Sequence, residues 1–236
     1  MGLMLAGKTP VNLNFSIGAE AMAAAIRQCE ISTVVTAKPF LAKAKIAEMP
    51  GSLFIEDVLP TFGGLERALT YLSALLLPTR WLIALAAPKD RHFDDLCTVM
   101  FSSGSTGEPK GVMLSHHNIV SNLEAIAQIL WVQRDDRIMG VLPFFHSFGF
   151  TGTLCLPLTC GIGAVYHANP LDAKTIGGLI RKYQTTILIS TPTFCQAYYR
   201  ACAAEDLKSL RHVVVGAERL RPEFAAQFKE KFGLDI

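Results

Sequence analysis

The sequence lacks the features that mark two broad classes of protein. Its 22 lysines and arginines almost balance its 20 aspartates and glutamates, so the formal net charge is only +2, and basic residues are scattered rather than clustered. This balance argues against a nucleic-acid partner. The most apolar region, residues 65–87, is interrupted by Pro78, Thr79 and Arg80. It therefore falls short of the roughly 20 uninterrupted apolar residues of a membrane-spanning helix.

Paired cysteines and a leader sequence are also missing. The six cysteines include no C-x-x-C pair and have no histidine-rich neighbour at zinc-ligand spacing, so reduced thiols in a cytoplasmic protein are expected. The first fifteen residues contain neither a charged leader region nor a small-residue cleavage site, and no secretion signal is predicted.

What the sequence does contain is an alternation of strand and helix patterns in a chain of 236 residues that is 50% hydrophobic. The predicted strands are residues 10–15, 33–36, 53–58, 99–101, 112–114, 138–142, 162–166, 186–190 and 212–215. The predicted helices are residues 19–30, 39–48, 115–130, 150–158, 172–183, 192–204 and 222–232. This order predicts an α/β fold, with a mostly parallel sheet or sheets flanked by helices. Because ligands bind at the carboxyl ends of such strands, we expect the loops after Phe101, Leu142, Ser190 and Val215 to be neighbours.

The apolar region over residues 65–87 is predicted to form a helix, a turn and a strand of the core. An alternative is a segment that lies in a membrane interface, because Trp81 stands beside Arg80.

Residues 98–111, TVMFSSGSTGEPKG, place a run of small residues directly behind a short apolar strand. Glycines let backbone N–H groups turn toward an anion, hydroxyls add donors, and a lysine adds positive charge. The predicted phosphate-binding residues are Ser102, Ser103, Gly104, Ser105, Thr106, Gly107 and Lys110. The loop is not of the Walker type, since Pro109 and Gly111 flank the lysine. The alternative is an ordinary surface loop.

With this loop, the segment PFFHSFG (residues 143–149) and the segment GAE (residues 216–218) in order, the sequence resembles the adenylate-forming (AMP-binding) superfamily. The resemblance covers the whole chain. Within the superfamily it is most similar to the synthetase part of the bifunctional acyl-[acyl-carrier-protein] synthetase/2-acylglycerophosphoethanolamine acyltransferase. A fragment of an acyl-CoA or aryl-CoA ligase, and a nucleotide-binding module without activity, are the alternatives.

The resemblance implies that ATP and Mg²⁺ activate a fatty acid as its acyl-adenylate, and that the thiol of acyl carrier protein or CoA then takes the acyl group. It assigns the phosphate loop and Lys110 to the polyphosphate, and Thr106 to the metal. It places His146 beside the carboxylate and adenylate, although a half-buried structural histidine is the alternative. Gly216, Ala217 and Glu218 match the segment along the adenine and the acyl carbonyl, and Glu218 could equally be a solvated charge.

The phenylalanines of the aromatic segment, Phe144, Phe145, Phe148 and Phe150, are expected to line an acyl pocket or to pack in the core. The Thr191–Pro192 pair is expected either at the site or simply at a helix start.

The resemblance also implies that residues 1–236 are a partial large N-terminal AMP-binding domain. The family's Tyr-Gly-x-Thr-Glu segment, its hinge and its small C-terminal domain do not occur in this sequence. We therefore expect a fragment with little activity alone. Its parent is expected in the cytoplasm, in association with the inner face of the cell membrane.

Overall fold

The computed structural model describes residues 1–87, 90, 92–102 and 109–236. The chain divides into two compact units, Met1–His116 and His117–Ile236.

The first unit contains two small sheets and several helices. Its elements are α1 (Gly2–Leu5), α2 (Ala19–Gln28), β1 (Val34–Thr36), α3 (Lys38–Ala44), β2 (Ser52–Phe54), α4 (Ile55–Val58), a 3-10 turn (Leu59–Thr61), α5 (Gly64–Leu76), α6 (Thr79–Ala86), β3 (Leu96–Ser102) and β4 (Lys110–Ser115). Strand β1 pairs in parallel with β2, and β3 pairs antiparallel with β4. Helix α7 (His116–Ile129) begins at the boundary between the units.

The segment before α2 lies against β3, where Val11 forms an isolated parallel bridge with Val99 and the Thr98 hydroxyl donates to the Pro10 carbonyl at 2.8 Å. The prediction of a strand over residues 10–15 is wrong, because within this range only Val11 pairs with another strand. The Asn14 side chain accepts hydrogen bonds from the Ser16 amide and hydroxyl, at 2.9 and 2.7 Å. These local bonds turn the chain and compete with a strand ladder.

Two further elements of this unit are shorter than predicted. The helix expected to reach Glu48 ends at Ala44, because Lys45 adopts a left-handed conformation with φ of +55°. The strand expected over residues 53–58 is limited to β2, and the residues after it form α4 instead.

The apolar region over residues 65–87 forms two helices, so the predicted helix is confirmed as α5 and the predicted strand is wrong. Alanine and leucine favour the helical α6 once Pro78 has set its start. Both helices lie entirely within the described residues, and neither contains a buried residue. Leu65, Leu76 and Leu85 are 75, 75 and 77% exposed, so this region is not part of the core. Among the described residues, no helix has the length and apolarity needed to span a bilayer.

Strands β3 and β4 form a hairpin whose last pair is Ser102 with Lys110. The hairpin confirms the predicted return strand after the Gly/Ser loop. On β3, the buried Val99 and Phe101 pack with Ala25 of α2 in a small apolar cluster. The hairpin is therefore held by its first strand, and its second strand is mostly exposed.

The second unit is built on a four-stranded sheet. Its elements after α7 are β5 (Arg137–Gly140), α8 (Ser147–Gly149), a π-helical segment (Phe150–Cys155), α9 (Leu156–Cys160), β6 (Gly163–Tyr166), α10 (Ala173–Tyr183), β7 (Ile187–Ser190), α11 (Pro192–Ala201), α12 (Ala204–Leu207), β8 (His212–Val215) and α13 (Pro222–Phe232). The strand order is β6-β5-β7-β8, and all three pairings are parallel. The predicted α/β fold with a mostly parallel sheet is confirmed.

The core of this unit is apolar and closely packed. Its largest fully buried side chains are Tyr198, Phe228, Ile138, Met139, Leu156, Ile176, Ile180, Ile187, Leu188, Ile189 and Leu207. They come from the strands and from the helices between them, which is the layered arrangement expected for strand and helix alternation.

A buried carboxylate joins the amino ends of the strands. Asp136 is 3% exposed, and its Oδ1 accepts a hydrogen bond from the Thr186 hydroxyl at 2.6 Å. Its Oδ2 accepts from the Gln133 amide at 2.7 Å and from Nη2 of Arg211 at 2.5 Å. These bonds hold the starts of β5, β7 and β8 together.

Candidate functional site

The predicted phosphate loop belongs to the first unit. Ser102 is the last residue of β3 and Lys110 the first of β4; they form a cross-strand pair, and both are exposed. The lysine ammonium is therefore accessible to an anion at the open end of the hairpin. The other predicted phosphate ligands, Ser103, Gly104, Ser105, Thr106 and Gly107, lie outside the described residues. Thr106, the predicted metal ligand, is therefore also outside the described residues.

The aromatic segment after β5 is a tight turn in the second unit. The His146 amide donates to the Pro143 carbonyl at 3.2 Å, and the His146 carbonyl accepts from the Phe150 amide at 2.8 Å. Gly149 is required here, since a Cβ would lie 2.3 Å from the Pro143 carbonyl oxygen. The backbone of the turn is thus fixed, while the imidazole of His146 is exposed, 4.6 Å from the ring of Phe145.

The phenylalanines of this segment have different surroundings. Phe145 and Phe150 are buried, with 9 and 3% exposure. Phe144 is 37% exposed and meets Tyr166 edge to face at 5.5 Å. A π-helical segment follows directly, and within it the Thr153 hydroxyl donates to the Gly149 carbonyl at 2.7 Å. This hydrogen bond from a side chain to the backbone four residues earlier links the turn to the π-helical segment.

The turn after β7 begins a helix, as one of the two sequence interpretations expected. Thr191 is the N-cap of α11, and its hydroxyl accepts a hydrogen bond from the Phe194 amide at 3.4 Å. Pro192 occupies the first helical turn, where its lack of an N–H group costs nothing. Thr191 is 7% exposed, so its hydroxyl serves the helix cap.

The turn after β8 contains the predicted nucleotide-contacting residues Gly216, Ala217 and Glu218. The Gly216 amide donates to the Ser190 carbonyl at 3.3 Å, which extends the pairing of β7 and β8 by one residue. Ala217 has a φ of +66°, in the left-handed region that a residue with a Cβ rarely adopts. Glu218 Oε2 accepts from the Thr193 amide at 3.1 Å and from its hydroxyl at 2.6 Å.

The turns after β5 and β8 are in direct contact. A Cβ added at Gly216 would lie 3.2 Å from the ring of Phe148, so the glycine lets the ring lie against the backbone. The turns after β7 and β8 are joined by Glu218 and Thr193. Of the four predicted neighbouring loops, these three therefore meet at the carboxyl edge of the parallel sheet, and the loop after Phe101 belongs to the first unit.

Thr193 and Phe148 are the two contacts that sequence reasoning did not assign to these roles. A threonine in the first turn of a helix that follows a strand is a detectable signal, because its hydroxyl and amide both point out of the helix start. The glutamate that uses these donors comes 25 residues later, and local sequence does not indicate the pair.

The buried thiol and phenol beside this edge are not reactive groups. Burial raises the pKa of the Cys195 thiol to about 12. Burial also raises the pKa of Tyr198, whose hydroxyl donates to the Pro170 carbonyl at 2.9 Å. Both groups stay protonated near neutral pH, so neither supplies a nucleophile or a general base to the site.

Within the described part of the chain, no group of three or more histidine, cysteine, aspartate or glutamate side chains is arranged to hold a metal ion.

Comparison with known proteins supports a single family. The chain is 29% identical over 140 residues to a feruloyl-CoA synthase from Amycolatopsis, covering 58% of this chain and 28% of that protein. It is 28% identical over 155 residues to the long-chain-fatty-acid–CoA ligase of Bacillus subtilis, covering 63% of this chain and 27% of that protein. The chain thus spans less than a third of the length of these relatives.

A solved structure shares the fold. It is the o-succinylbenzoate coenzyme A synthetase of Bacillus subtilis in complex with ATP and magnesium ion, with a TM-score of 0.73 and 19% identity. The match covers 97% of this chain and 43% of that one. A family model described as AMP-binding enzyme matches residues 1–236, the full length of the sequence. This chain is a member of the AMP-binding enzyme family.

Proposed function

We propose that this protein is the nucleotide-binding part of an ATP-dependent ligase that joins a fatty acid to the thiol of acyl carrier protein. The observation that carries the proposal is the meeting of three loops, after β5, β7 and β8, at the carboxyl edge of a parallel sheet. Ligands of such sheets bind at this edge. Membership of the AMP-binding enzyme family makes an adenine nucleotide the expected ligand.

The proposed reaction has two steps. In the first, a carboxylate oxygen of the fatty acid attacks the α-phosphorus of ATP, the bond to the β-phosphate oxygen breaks, and pyrophosphate leaves. In the second, a thiolate attacks the acyl carbonyl and AMP leaves, so the thioester forms. Both reactants of the first step are anions, and the protein must align them and neutralise their charge.

We assign the polyphosphate to the loop between β3 and β4. Lys110 supplies a positive charge at the exposed end of the hairpin, opposite Ser102. Residues 103–107 would add backbone N–H groups and hydroxyls, which is how small-residue loops bind phosphate. Thr106 is the proposed hydroxyl ligand of Mg²⁺. One hydroxyl is too few for an ion that prefers six oxygens, so phosphate oxygens of ATP and water would supply the rest of its shell.

We assign the carboxylate and the adenylate to the second unit. The exposed imidazole of His146 stands on a turn whose backbone is fixed on both sides, so it can donate a hydrogen bond to a carboxylate oxygen without reorganising. The turn at Gly216 and Ala217 would lie along the adenine, as the sequence resemblance implies.

The alternative functions differ in the thiol that accepts the acyl group and in the acid that is activated. The proposal of acyl carrier protein as acceptor, and of the bifunctional synthetase/acyltransferase as parent, rests on the sequence resemblance. The feruloyl-CoA and long-chain-fatty-acid–CoA enzymes among the relatives favour an acyl-CoA or aryl-CoA ligase instead. Thioester formation by the full-length parent, measured side by side with acyl carrier protein and with CoA, separates the two. A transfer to CoA alone would contradict the first proposal.

The coverage of the relatives supports the proposed domain limits. Because the chain spans 28% of one relative and 43% of the solved structure, we propose that residues 1–236 are part of the large N-terminal domain. Whole-enzyme activity then needs further residues. We expect the isolated chain to bind ATP in calorimetry but to give little ATP–pyrophosphate exchange. Absence of ATP binding would contradict the nucleotide assignment, and robust exchange would contradict the proposed limits. If the full-length parent also binds ATP but shows no ATP–pyrophosphate exchange, the alternative of a nucleotide-binding module is supported.

We also propose that the parent works in the cytoplasm at the inner face of the cell membrane. The supporting observation is the exposure of the apolar side chains of α5 and α6. Apolar helices that carry tryptophan beside arginine suit a lipid interface, and a fatty-acid substrate partitions into the same place.

A further inference from the structure

One carboxylate joins two of the loops at the carboxyl edge of the sheet. Glu218 Oε2 accepts both the backbone N–H of Thr193, at 3.1 Å, and the Thr193 hydroxyl, at 2.6 Å. Thr193 is the second residue of α11, so its N–H is one of the helix-start donors that have no partner within the helix. The carboxylate also places negative charge at the positive end of the helix dipole.

This attachment comes directly after a disfavoured backbone conformation. Ala217 has a φ of +66°, and residues with a Cβ adopt this region only when their surroundings require it. On one side of Ala217, the Gly216 amide is bonded to the Ser190 carbonyl and the Phe148 ring lies against Gly216. On the other side, the bonds to Thr193 hold Glu218. The left-handed residue is therefore fixed at both ends.

We propose that Glu218 is a positioning residue, which holds the Gly216–Ala217 turn in its left-handed shape through Thr193 instead of contacting the nucleotide. That this turn contacts the adenine nucleotide is part of the function proposed above, and the inference rests on it. The same Oε2 atom accepts both donors, so the carboxylate is oriented toward α11. Loss of the Glu218 carboxylate removes both bonds, whereas loss of the Thr193 hydroxyl leaves the backbone N–H bond in place.

The test compares four substitutions in the full chain. Glu218→Ala removes the acceptor and Thr193→Val removes the hydroxyl donor, while Glu218→Gln and Thr193→Ser keep the bonding groups. Glu230→Ala removes another exposed glutamate of the same unit and serves as the control. Amide hydrogen exchange is measured over residues 191–195 and 215–219, and AMP affinity is measured by calorimetry.

We expect Glu218→Ala, which removes both bonds, to speed exchange in both segments by about tenfold, since hydrogen bonds to a charged group are among the stronger ones. Thr193→Val keeps the backbone N–H bond, so we expect a smaller effect of about threefold. Their combination should add little to Glu218→Ala alone. AMP affinity should fall by about tenfold in Glu218→Ala and about threefold in Thr193→Val, and should recover in the Gln and Ser variants. The control should match the unchanged chain.

Three results would overturn the proposal. Unchanged exchange over residues 215–219 in Glu218→Ala would mean that the carboxylate does not hold the turn. AMP affinity that stays weak in Glu218→Gln although the exchange rates recover would mean that the Glu218 carboxylate contacts the nucleotide directly. Faster exchange with unchanged AMP affinity would mean that the turn does not serve the nucleotide. If the unchanged chain binds no AMP, the proposed function fails, and the exchange rates still decide whether Glu218 holds the turn.

Discussion

The ring of Phe148 lies against the backbone of Gly216, so that a Cβ at the glycine would come within 3.2 Å of the ring. This contact joins the turn that carries His146 to the turn that follows β8. It depends on the absence of a side chain at one position, and it brings two segments that are distant in sequence to one edge of the sheet.

Gly216→Ala tests this contact. We expect the added methyl group to push the Phe148 ring away and to lower the free energy of unfolding by about 1 kcal/mol, as in other overpacked sites. AMP affinity should fall as the two turns separate. Gly178→Ala in α10 is the control, because no atom lies within 4 Å of the added Cβ there. The control should be neutral or stabilising by about 0.5–1 kcal/mol. Urea unfolding and calorimetry measure both, and equal effects of the two substitutions would contradict the assignment.

Lys110→Ala in the full-length parent should separate activity from folding. Lys110 is exposed at the end of β4, so its truncation should change the free energy of unfolding by less than about 0.5 kcal/mol. Its proposed contact with the polyphosphate predicts a loss in adenylation rate of about 100-fold. Lys174→Ala, an exposed lysine on α10, should leave the rate unchanged. A Lys110→Ala enzyme with full activity would refute the phosphate assignment.

Asp136→Ala should destabilise the second unit strongly. The carboxylate is 3% exposed and accepts hydrogen bonds from Thr186, Gln133 and Arg211, so its removal leaves three donors without this acceptor. We expect a loss of about 2–3 kcal/mol in urea unfolding. Asp235→Ala, which removes a mostly exposed ion pair with Lys229, should cost less than about 1 kcal/mol. Similar losses from both substitutions would contradict the structural role of Asp136.

The elements that sequence predicted well carry local signals. Helix α10 begins at Asp172, whose carboxylate accepts a hydrogen bond from the Thr175 amide at 3.3 Å as an N-cap residue does. Helices α11 and α13 begin at Pro192 and Pro222, and β8 has the predicted bounds. Each signal acts within a few residues, so the alternation of strand and helix could be predicted.

The errors arose where local signals were weak or where tertiary structure decides. The run after Pro78 is apolar on every side, so its sequence lacks the periodicity that separates a helix from a strand, and it forms α6. The Glu218–Thr193 pair depends on β7 and β8 being neighbours, which only the sheet order determines. The turns that carry His146 and Gly216 were expected to be neighbours because parallel strands end at one edge, and the structure brings them into contact.

Alkaline pH should weaken the second unit through its buried thiol. The pKa of Cys195 is about 12 in the folded chain and 9.0 in its ordinary state. Below pH 9 the thiol is neutral in both states and its contribution is complete. Between pH 9 and 12 the unfolded chain loses the proton first, so the free energy of unfolding falls by up to about 1.4 kcal/mol per pH unit for this group. Cys195→Ala should lower stability at every pH but make its fall above pH 9 shallower. Urea unfolding at pH 8, 9 and 10 measures both slopes, and equal slopes would contradict the prediction.

The exposed helices α5 and α6 should bind lipid. The charged residues of segment 64–87 are Glu66, Arg67 and Arg80, so its surface is chiefly apolar. The chain should co-sediment with phosphatidylglycerol vesicles, because an apolar helix face with flanking arginines favours an anionic interface.

Leu76→Glu places a charge on the 75% exposed leucine of α5 and should reduce vesicle binding by about tenfold, since it removes one apolar anchor of about 1.5–3 kcal/mol. Leu171→Glu is the matched control, because Leu171 is 60% exposed in the second unit and lies outside this region. If the two substitutions reduce binding equally, or if the unchanged chain stays in the supernatant, the exposed helices have another role and the proposed membrane association of the parent loses its structural support.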